Sequence, residues 1–363
     1  MADMSHVYAL IMAGGAGTRL WPLSREKRPK PLLPLVDDKY SMIQLSVQRL
    51  QPLLPVGHIL IVAGVDHVPL IREQLPELPA ENFITEPMGR DSGPAVGLGT
   101  IHIRRRDPDA VIAVLTADHY IADEVGFRAV LRAAAVMAQQ GMIATLGITP
   151  TEPSTGFGYI EQGELIQTID GVQVFQLKRF VEKPDEERAR EFMTSGRYSW
   201  NSGMFIWQAQ RVMEEFGRHA PEVFEKLELL AASIGTPGYE PLLAETWPQV
   251  TKISVDYALM EHIHDRIVVI PADIGWSDIG NFEALYDILS DSGEDHVISG
   301  QQPILVESSR MLIFSKRLVA AFGVHDLVII DTEDAILVCP RDRAQDIKQL
   351  VETIKKEQQH KYL

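Results

Sequence analysis

The sequence predicts an α/β fold built on an open, mostly parallel sheet, followed by a small β-rich segment and a terminal helix. Three observations carry that expectation. Short apolar runs alternate with helical patterns through the first half of the chain. Several of those runs lack polar alternation, as strands covered on both faces do. From about Asp291 the runs become short and closely spaced, with charged turns between them, the texture of a compact β domain.

Val7–Met12 reads as the first strand, and Ile59–Ala63, Asn82–Thr85, Val111–Leu115 and Ile143–Ile148 as its neighbours. Ser41–Leu53 opens on a Ser-x-x-Gln capping box. Gly93–Arg106 and Asp123–Gln139 read as further helices, the second capped by Asp123. This strand–helix–strand rhythm implies right-handed crossovers between parallel strands. From Thr155 to Trp207 the texture is mixed. Gly156 and Gly158 break a strand-like run that continues into Tyr159 and Ile160. Val174–Glu182 and Trp200–Trp207 read as strands, with a helix at Asp185–Ser195. This stretch is expected to extend the sheet over a second ligand. Gln208–Ile234 reads as helical and, after a Pro/Gly-rich connection at Thr236–Pro241, so does Ser254–His264. The last strands are expected at Ile304–Val306, Met311–Phe314, Leu318–Phe322, Leu327–Asp331 and Ala335–Cys339, with a helix at Arg341–Lys356. The expected domains are 1–290 and 291–363.

Composition limits the partners. With 34 basic against 50 acidic residues the net charge is −16, which argues against nucleic acid or an anionic membrane as the main partner. A single cysteine, Cys339, excludes an intrachain disulfide framework and a cysteine-rich metal site. Met1–His6 lacks a basic region leading into a signal-type core, and no apolar run reaches membrane-spanning length, so the cytoplasm is expected. An anionic ligand therefore needs local positive charge, and that charge clusters between Arg19 and Lys30.

There the chain reads Leu10-Ile-Met-Ala-Gly-Gly-Ala-Gly-Thr-Arg-Leu-Trp-Pro-Leu-Ser24, then Lys27-Arg28-Pro29-Lys30-Pro31. Gly14, Gly15 and Gly17 allow backbone N–H groups to approach a phosphate closely. A P-loop would close on Gly-Lys-Ser/Thr, but Thr18 and Arg19 follow Gly17. A dinucleotide fingerprint needs a small residue at Leu20 and a helix at once, which Pro22, Pro29, Pro31 and Pro34 forbid. A long proline-stiffened loop with a triphosphate between Arg19 and Lys30 is the expectation.

The Gly-Gly-Ala-Gly-Thr-Arg-Leu-x-Pro-Leu run with a downstream Pro-Lys-Pro resembles the signature of sugar-1-phosphate nucleotidylyltransferases. Later segments are most similar to the mannose-1-phosphate guanylyltransferase branch. The resemblance implies a Rossmann-like nucleotidyltransferase sheet and a short left-handed β-helix at the C-terminus, although no clean hexad period is visible. Asp118, in Thr116-Ala-Asp-His119 after an apolar strand, stands where α/β sheets place ligand-binding carboxylates. It resembles the family's Leu-x-x-Asp-His segment, with Ala117 where proline is usual. Gly275-Trp-Ser-Asp-Ile-Gly-Asn281 resembles the segment whose aspartate, here Asp278, completes a metal site with Asp118. Mg²⁺ is the expected cofactor, since carboxylates and phosphate oxygens suit a hard cation.

Phe180-Val-Glu-Lys-Pro184, Trp200-Asn-Ser-Gly-Met-Phe205 and Thr155-Gly-Phe-Gly-Tyr159 resemble the sugar-phosphate side. Lys183 is expected on the phosphate, and Glu182, Asn201 and the Gly158 backbone around the sugar. Glu86-Pro-Met-Gly-Arg-Asp-Ser-Gly-Pro-Ala95 resembles the base-recognition loop, commonly Arg-Asn-Thr-Ala-Pro-Ala after Glu-Pro. Here Asp91-Ser92-Gly93 replaces its middle, while Glu86 and Arg90 remain as expected guanine contacts. Ser254-Val-Asp-Tyr-Ala-Leu-Met-Glu261 also resembles this branch, and its Asp256 reads as a helix cap. The catalytic set implied is Arg19, Lys30, Asp118, Lys183 and Asp278. The implied reaction joins GTP and mannose 1-phosphate into GDP-mannose and pyrophosphate, in a homo-oligomer, a dimer. The same chemistry on another base or sugar is the nearest alternative; a non-catalytic regulatory paralogue that binds GDP-mannose is another.

Overall fold

A computed structural model describes residues 3–15 and 17–363, so that Ala16 of the glycine loop lies outside the described residues. In chain order the elements are β1 (Val7–Met12), α1 (Met42–Gln48), β2 (Ile59–Gly64), α2 (Val68–Gln74), β3 (Phe83–Glu86), α3 (Ser92–Arg106), β4 (Val111–Thr116), β5 (Tyr120–Ile121), α4 (Glu124–Gln139) and β6 (Ile143–Ile148). Then come β7 (Tyr159–Ile169), β8 (Val172–Val181), α5 (Glu186–Ser195), β9 (Tyr198–Gln208), α6 (Ala209–His219), α7 (Pro221–Ala231), α8 (Tyr239–Thr246), β10 (Ile267–Pro271), β11 (Trp276–Ser277) and α9 (Phe282–Leu289). The last part carries β12 (Val297–Gly300), β13 (Ile304–Val306), β14 (Leu312–Ser315), β15 (Ala320–Phe322), β16 (Leu327–Asp331), β17 (Ile336–Pro340) and α10 (Ile347–Lys356). Two compact units result. One holds Met1–Gly14, Val47–Ala117 and Ile121–Trp276, and the other holds Gly15–Ser46, Asp118–Tyr120 and Ser277–Leu363.

The first unit is organised by a nine-stranded sheet in the order β3-β2-β1-β4-β9-β6-β10-β8-β7. β1 lies between β2 and β4, parallel to both, so the strand order reverses at its carboxyl end, where open α/β sheets bind ligands. Tyr8 and Leu10 of β1 face a core that includes Val96 and Leu98 of α3, Phe216 of α6 and Leu227 of α7. β7 also pairs with β9, so strands β9-β6-β10-β8-β7 close on themselves. Among the described residues no helix is long and apolar enough to cross a membrane.

Most expected strands lie within a residue or two of their place; the differences have local causes. The single helix expected over Gln208–Ile234 is two, α6 and α7, because Pro221 lacks an N–H to continue α6 and is suited to start α7. Ser254–His264 holds only a π-helical turn, Asp256–Met260. β10 was not anticipated, since a five-residue apolar run has no period that separates strand from helix. α2, α8 and α9 were likewise not anticipated.

The second unit joins the proline loop to the C-terminal strands. Leu20, Trp21, Leu33, Leu35 and Met42 share a core with Phe282, Leu285, Leu312, Phe314 and Val328. Trp21 Nε1 donates to the Tyr362 carbonyl at 2.6 Å, and Arg25 pairs with Asp334 at 2.8 Å. β12, β14 and β16 stack in parallel, as do β13 and β15, which is the arrangement of a β-helix. Successive turns are offset by 16 residues where Leu312 sits beside Val328 and Ile304 beside Ala320, and Arg310 reaches Asp326, also 16 residues on, at 2.6 Å. An offset that is not a whole number of hexads is why no hexad appears in the sequence.

Asn82 was expected to open a strand but stands just before β3, buried, where its Nδ2 donates to the carbonyls of Val56, Gly57 and Ile59 at 3.1, 3.2 and 2.8 Å. Its Oδ1 accepts from Arg106 at 2.7 Å. Asn82→Ala leaves several of these groups without partners and should lower the free energy of unfolding by about 2–4 kcal/mol. Chemical denaturation measures it, and a loss below about 0.5 kcal/mol would show that this side chain is not a structural tie.

Candidate active site

In the second unit Gly17 adopts a left-handed conformation at φ 60°, and a side chain there would come within 2.8 Å of Lys30 Cβ. Only glycine meets both demands. The Ser24 hydroxyl donates to the Gly17 carbonyl at 2.5 Å and holds the turn. The buried Lys30 ammonium lies 3.0 Å from Asp118 Oδ2 and donates to the backbone carbonyl of Asp278. Arg19 Nη1 donates to the Gly280 carbonyl at 3.4 Å. Four residues separated by up to 259 positions in the sequence, Arg19, Lys30, Asp118 and Asp278, therefore form one cluster, with Gly15 and Thr18 on the same loop.

The two carboxylates differ electrostatically. Burial works against the charge on Asp118, but the Lys30 ammonium and His119 outweigh it and hold its carboxyl below the usual range. At Asp278 burial wins: the carboxyl is raised despite Lys30, with the Asp118 charge adding to the rise and Arg19 opposing it. Ile279, between Asp278 and Gly280, has φ 42° and is fully buried. A β-branched residue there is strained, and such strain collects at functional sites. Among the described residues no three His, Cys, Asp or Glu side chains converge to hold a metal unaided.

In the first unit strand register brings together the backbone of the residues expected around the sugar. Tyr159 pairs with both Val181 and Trp200, so Gly158, Glu182 and Asn201 become neighbours one step further along each antiparallel pair. Asn201 N donates to the Gly158 carbonyl at 2.7 Å. A side chain on Gly158 would approach Glu182 Oε2 to 2.5 Å. Lys183 pairs with Glu182. Burial opposes the Lys183 charge, yet Glu182 and Asp256 raise its pKa. Its φ of 43° mirrors that of Ile279, again directly after a carboxylate.

Gly14 follows β1, and the Ala13 N–H before it donates to the Val62 carbonyl at 2.9 Å. Glu86 ends β3, 7% exposed, and its Oε1 has no hydrogen-bond partner among the described residues. Burial pushes its carboxyl up to about 7, opposed by the Arg90 backbone N–H and assisted by Asp91. The Arg90 side chain is engaged elsewhere, donating to the carbonyls of Trp247, at 3.3 Å, and Pro248. It fixes that turn and does not pair with the Glu86 carboxylate. Asp91-Ser92-Gly93 packs on the following segment: Gly93 N donates to the Ile253 carbonyl at 3.0 Å and Val255 N to Ser92 Oγ at 2.9 Å. Asp256 was read as a cap; instead its Oδ1 accepts from Asn201 Nδ2 at 3.0 Å. The available signal was a lone charge within the apolar run Val255–Met260.

The buried Glu86 carboxyl has a consequence for stability. Its pKa is raised from an ordinary 4.5 to about 7 in the folded state, so between those values the folded protein holds a proton that the unfolded chain has released. Stability therefore falls as pH rises through this window. Glu86→Gln should be more stable than the parent at pH 8 by roughly 1–3 kcal/mol, with the gain gone near pH 4.5. Denaturation at both pH values tests this; an equal difference at each would show that Glu86 is not held neutral by burial.

Residues 8–294 match the nucleotidyl transferase family, and residues 301–354 match a MannoseP isomerase/GMP-like beta-helix domain. A mannose-1-phosphate guanylyltransferase of Escherichia coli is 37% identical over 363 residues, covering 99% of this chain and 75% of that protein. The xanthan biosynthesis protein XanB of Xanthomonas campestris is 37% identical over 355 residues, covering 97% of this chain and 74% of that protein. Among solved structures, a mannose-1-phosphate geranyltransferase from Thermus thermophilus aligns with a TM-score of 0.86 at 33% identity, covering 96% of this chain and 99% of that one. The chain belongs to the nucleotidyl transferase family, within its mannose-1-phosphate guanylyltransferase branch.

Proposed function

We propose that the protein transfers a guanylyl group from GTP to mannose 1-phosphate, releasing pyrophosphate and forming GDP-mannose. One observation carries this reading: Lys30 is buried between Asp118 and the Asp278 backbone, on the loop that bears the family's signature. In the reaction an oxygen of the sugar phosphate attacks the α-phosphorus of GTP in line, a P–O bond forms, and the bond to the leaving pyrophosphate breaks. The attacking phosphate is already ionised near neutral pH, so positioning and charge neutralisation are what the protein supplies.

Gly14, Gly15, Gly17 and Thr18 are assigned to the triphosphate through backbone N–H groups, and Arg19 and Lys30 to its charge. Lys183 is assigned to the sugar phosphate, with Gly158, Glu182 and Asn201 around the sugar. Glu86 is assigned to guanine, whose N1–H and amino group are donors that a carboxylate accepts. Its Oε1 without a partner supports that role, while the Arg90 side chain shapes the loop. Asp118 and Asp278 fit a divalent cation. Both are oxygen donors, and the Asp278 carboxyl is raised by burial first, with the Asp118 charge adding to it, a penalty that a cation relieves. Mg²⁺ held there would polarise phosphate oxygens as a Lewis acid.

The matches at 8–294 and 301–354 support a catalytic domain over 1–290 and a β-rich domain over 291–363. The exposed apolar residues Ile304, Leu318, Phe322 and Ile336 support a homodimer.

Pyrophosphate release should be measured across GTP, ATP, UTP, CTP and dTTP, each with mannose 1-phosphate and glucose 1-phosphate, with and without a chelator. GTP with mannose 1-phosphate should exceed every other pair by about tenfold or more, and chelation should abolish the rate. Equal rates with GTP and dTTP would overturn the guanylyl assignment, and an unchanged rate in chelator would overturn the metal site.

A further inference from the structure

Asp256 has no part in the scheme above, yet it lies at the centre of the sugar-side cluster. The π-helical turn that Asp256 opens is capped by Ser254, whose hydroxyl accepts from Tyr257 N at 3.3 Å, so capping does not explain Asp256. The carboxylate instead fixes Asn201. One amide hydrogen of Asn201 is committed to Asp256 Oδ1. The amide oxygen accepts from Gly203 N at 3.2 Å and the Thr145 hydroxyl at 3.4 Å. Across from Asn201 stands Glu182, whose side chain is only 6% exposed. Asp256 is close enough to Glu182 for the Glu182 charge to disfavour its own, and Lys183 is the cation beside both.

Two carboxylates offer acceptor oxygens suited to hydroxyl groups, leaving the Lys183 ammonium beside them for the phosphate of the same ligand. A carboxylate only accepts hydrogen bonds, and the hydroxyls of a sugar are donors. We propose that Asp256 and Glu182 together form the hydroxyl-reading face of the sugar pocket, with Asp256 selecting the hydroxyl pattern of the hexose 1-phosphate while its other contact orients Asn201. Burial first and the Glu182 charge second push the Asp256 carboxyl up to about 6, as expected of an acceptor with too few donors around it. The proposal rests on the sugar-phosphate assignment made above.

The test compares kcat and KM for mannose 1-phosphate and its monodeoxy analogues in the parent, Asp256→Asn and Asp256→Ala. Asp256→Asn nearly preserves shape and retains an acceptor for Asn201, so it separates hydroxyl reading from Asn201 orientation and guards against misfolding of the alanine variant. The parent should disfavour one monodeoxy analogue by about tenfold or more in kcat/KM. Both variants should fall towards that level with mannose 1-phosphate and lose little further with that analogue, while the KM for GTP stays unchanged. Retention of the parent's discrimination by Asp256→Asn, or an equal loss on every analogue, would overturn the proposal and leave the guanylyltransferase reading intact. Failure of the parent to release pyrophosphate from GTP and mannose 1-phosphate would overturn that reading itself.

Discussion

The Lys30 side chain is 6% exposed, so its ammonium has to find its partners inside the protein or lose its charge. It finds the Asp118 carboxylate and the Asp278 backbone, and Gly17 leaves the room its stem needs. The loop around it is fixed in turn by Ser24 on Gly17 and by Trp21 and Arg25 on the backbone carbonyl of Tyr362. One buried cation thus sets where the loop, both aspartates and Arg19 stand. In this way an acidic chain concentrates positive charge where the backbone places it.

The sugar side is built on a different constraint. Strand register sets the backbone positions of Gly158, Glu182 and Asn201, because Tyr159 pairs with two partners at once. The closure of β7 onto β9 makes that double pairing possible. Both clusters place a left-handed residue directly after a carboxylate, Ile279 after Asp278 and Lys183 after Glu182. In each case local backbone strain aims a side chain that an extended strand would direct elsewhere.

Much of this was legible in the sequence. β1 and β6 are unbroken apolar runs and were placed to the residue, and the capping box at Ser41 forms, with Ser41 N donating to Gln44 Oε1 at 2.9 Å. The signature loop marked Arg19 and Lys30 through residue type alone. What escaped depends on pairing over distance. β10 has a clear identity only once β6 and β8 flank it. The β-helix repeat was hidden because its 16-residue offset is not a whole number of hexads, and the ring closure leaves no local trace. Arg90 was a plausible base contact by type, but its carbonyl partners at Trp247 and Pro248 lie far along the chain. Asp256 was hidden for the same reason, its partner Asn201 being 55 residues away.

The dependence of the anion site on Lys30 is most directly tested by a double-mutant cycle in unfolding free energy. Lys30→Met, Asp118→Asn and the double variant are compared with the parent in the presence of a chelator. Each single change strands a partly buried charge, so the double variant should be less destabilised than the sum of the two, with a coupling of about 1–3 kcal/mol. Additivity within about 0.5 kcal/mol would mean that the two groups are merely adjacent, and that Lys30 does not hold the site together.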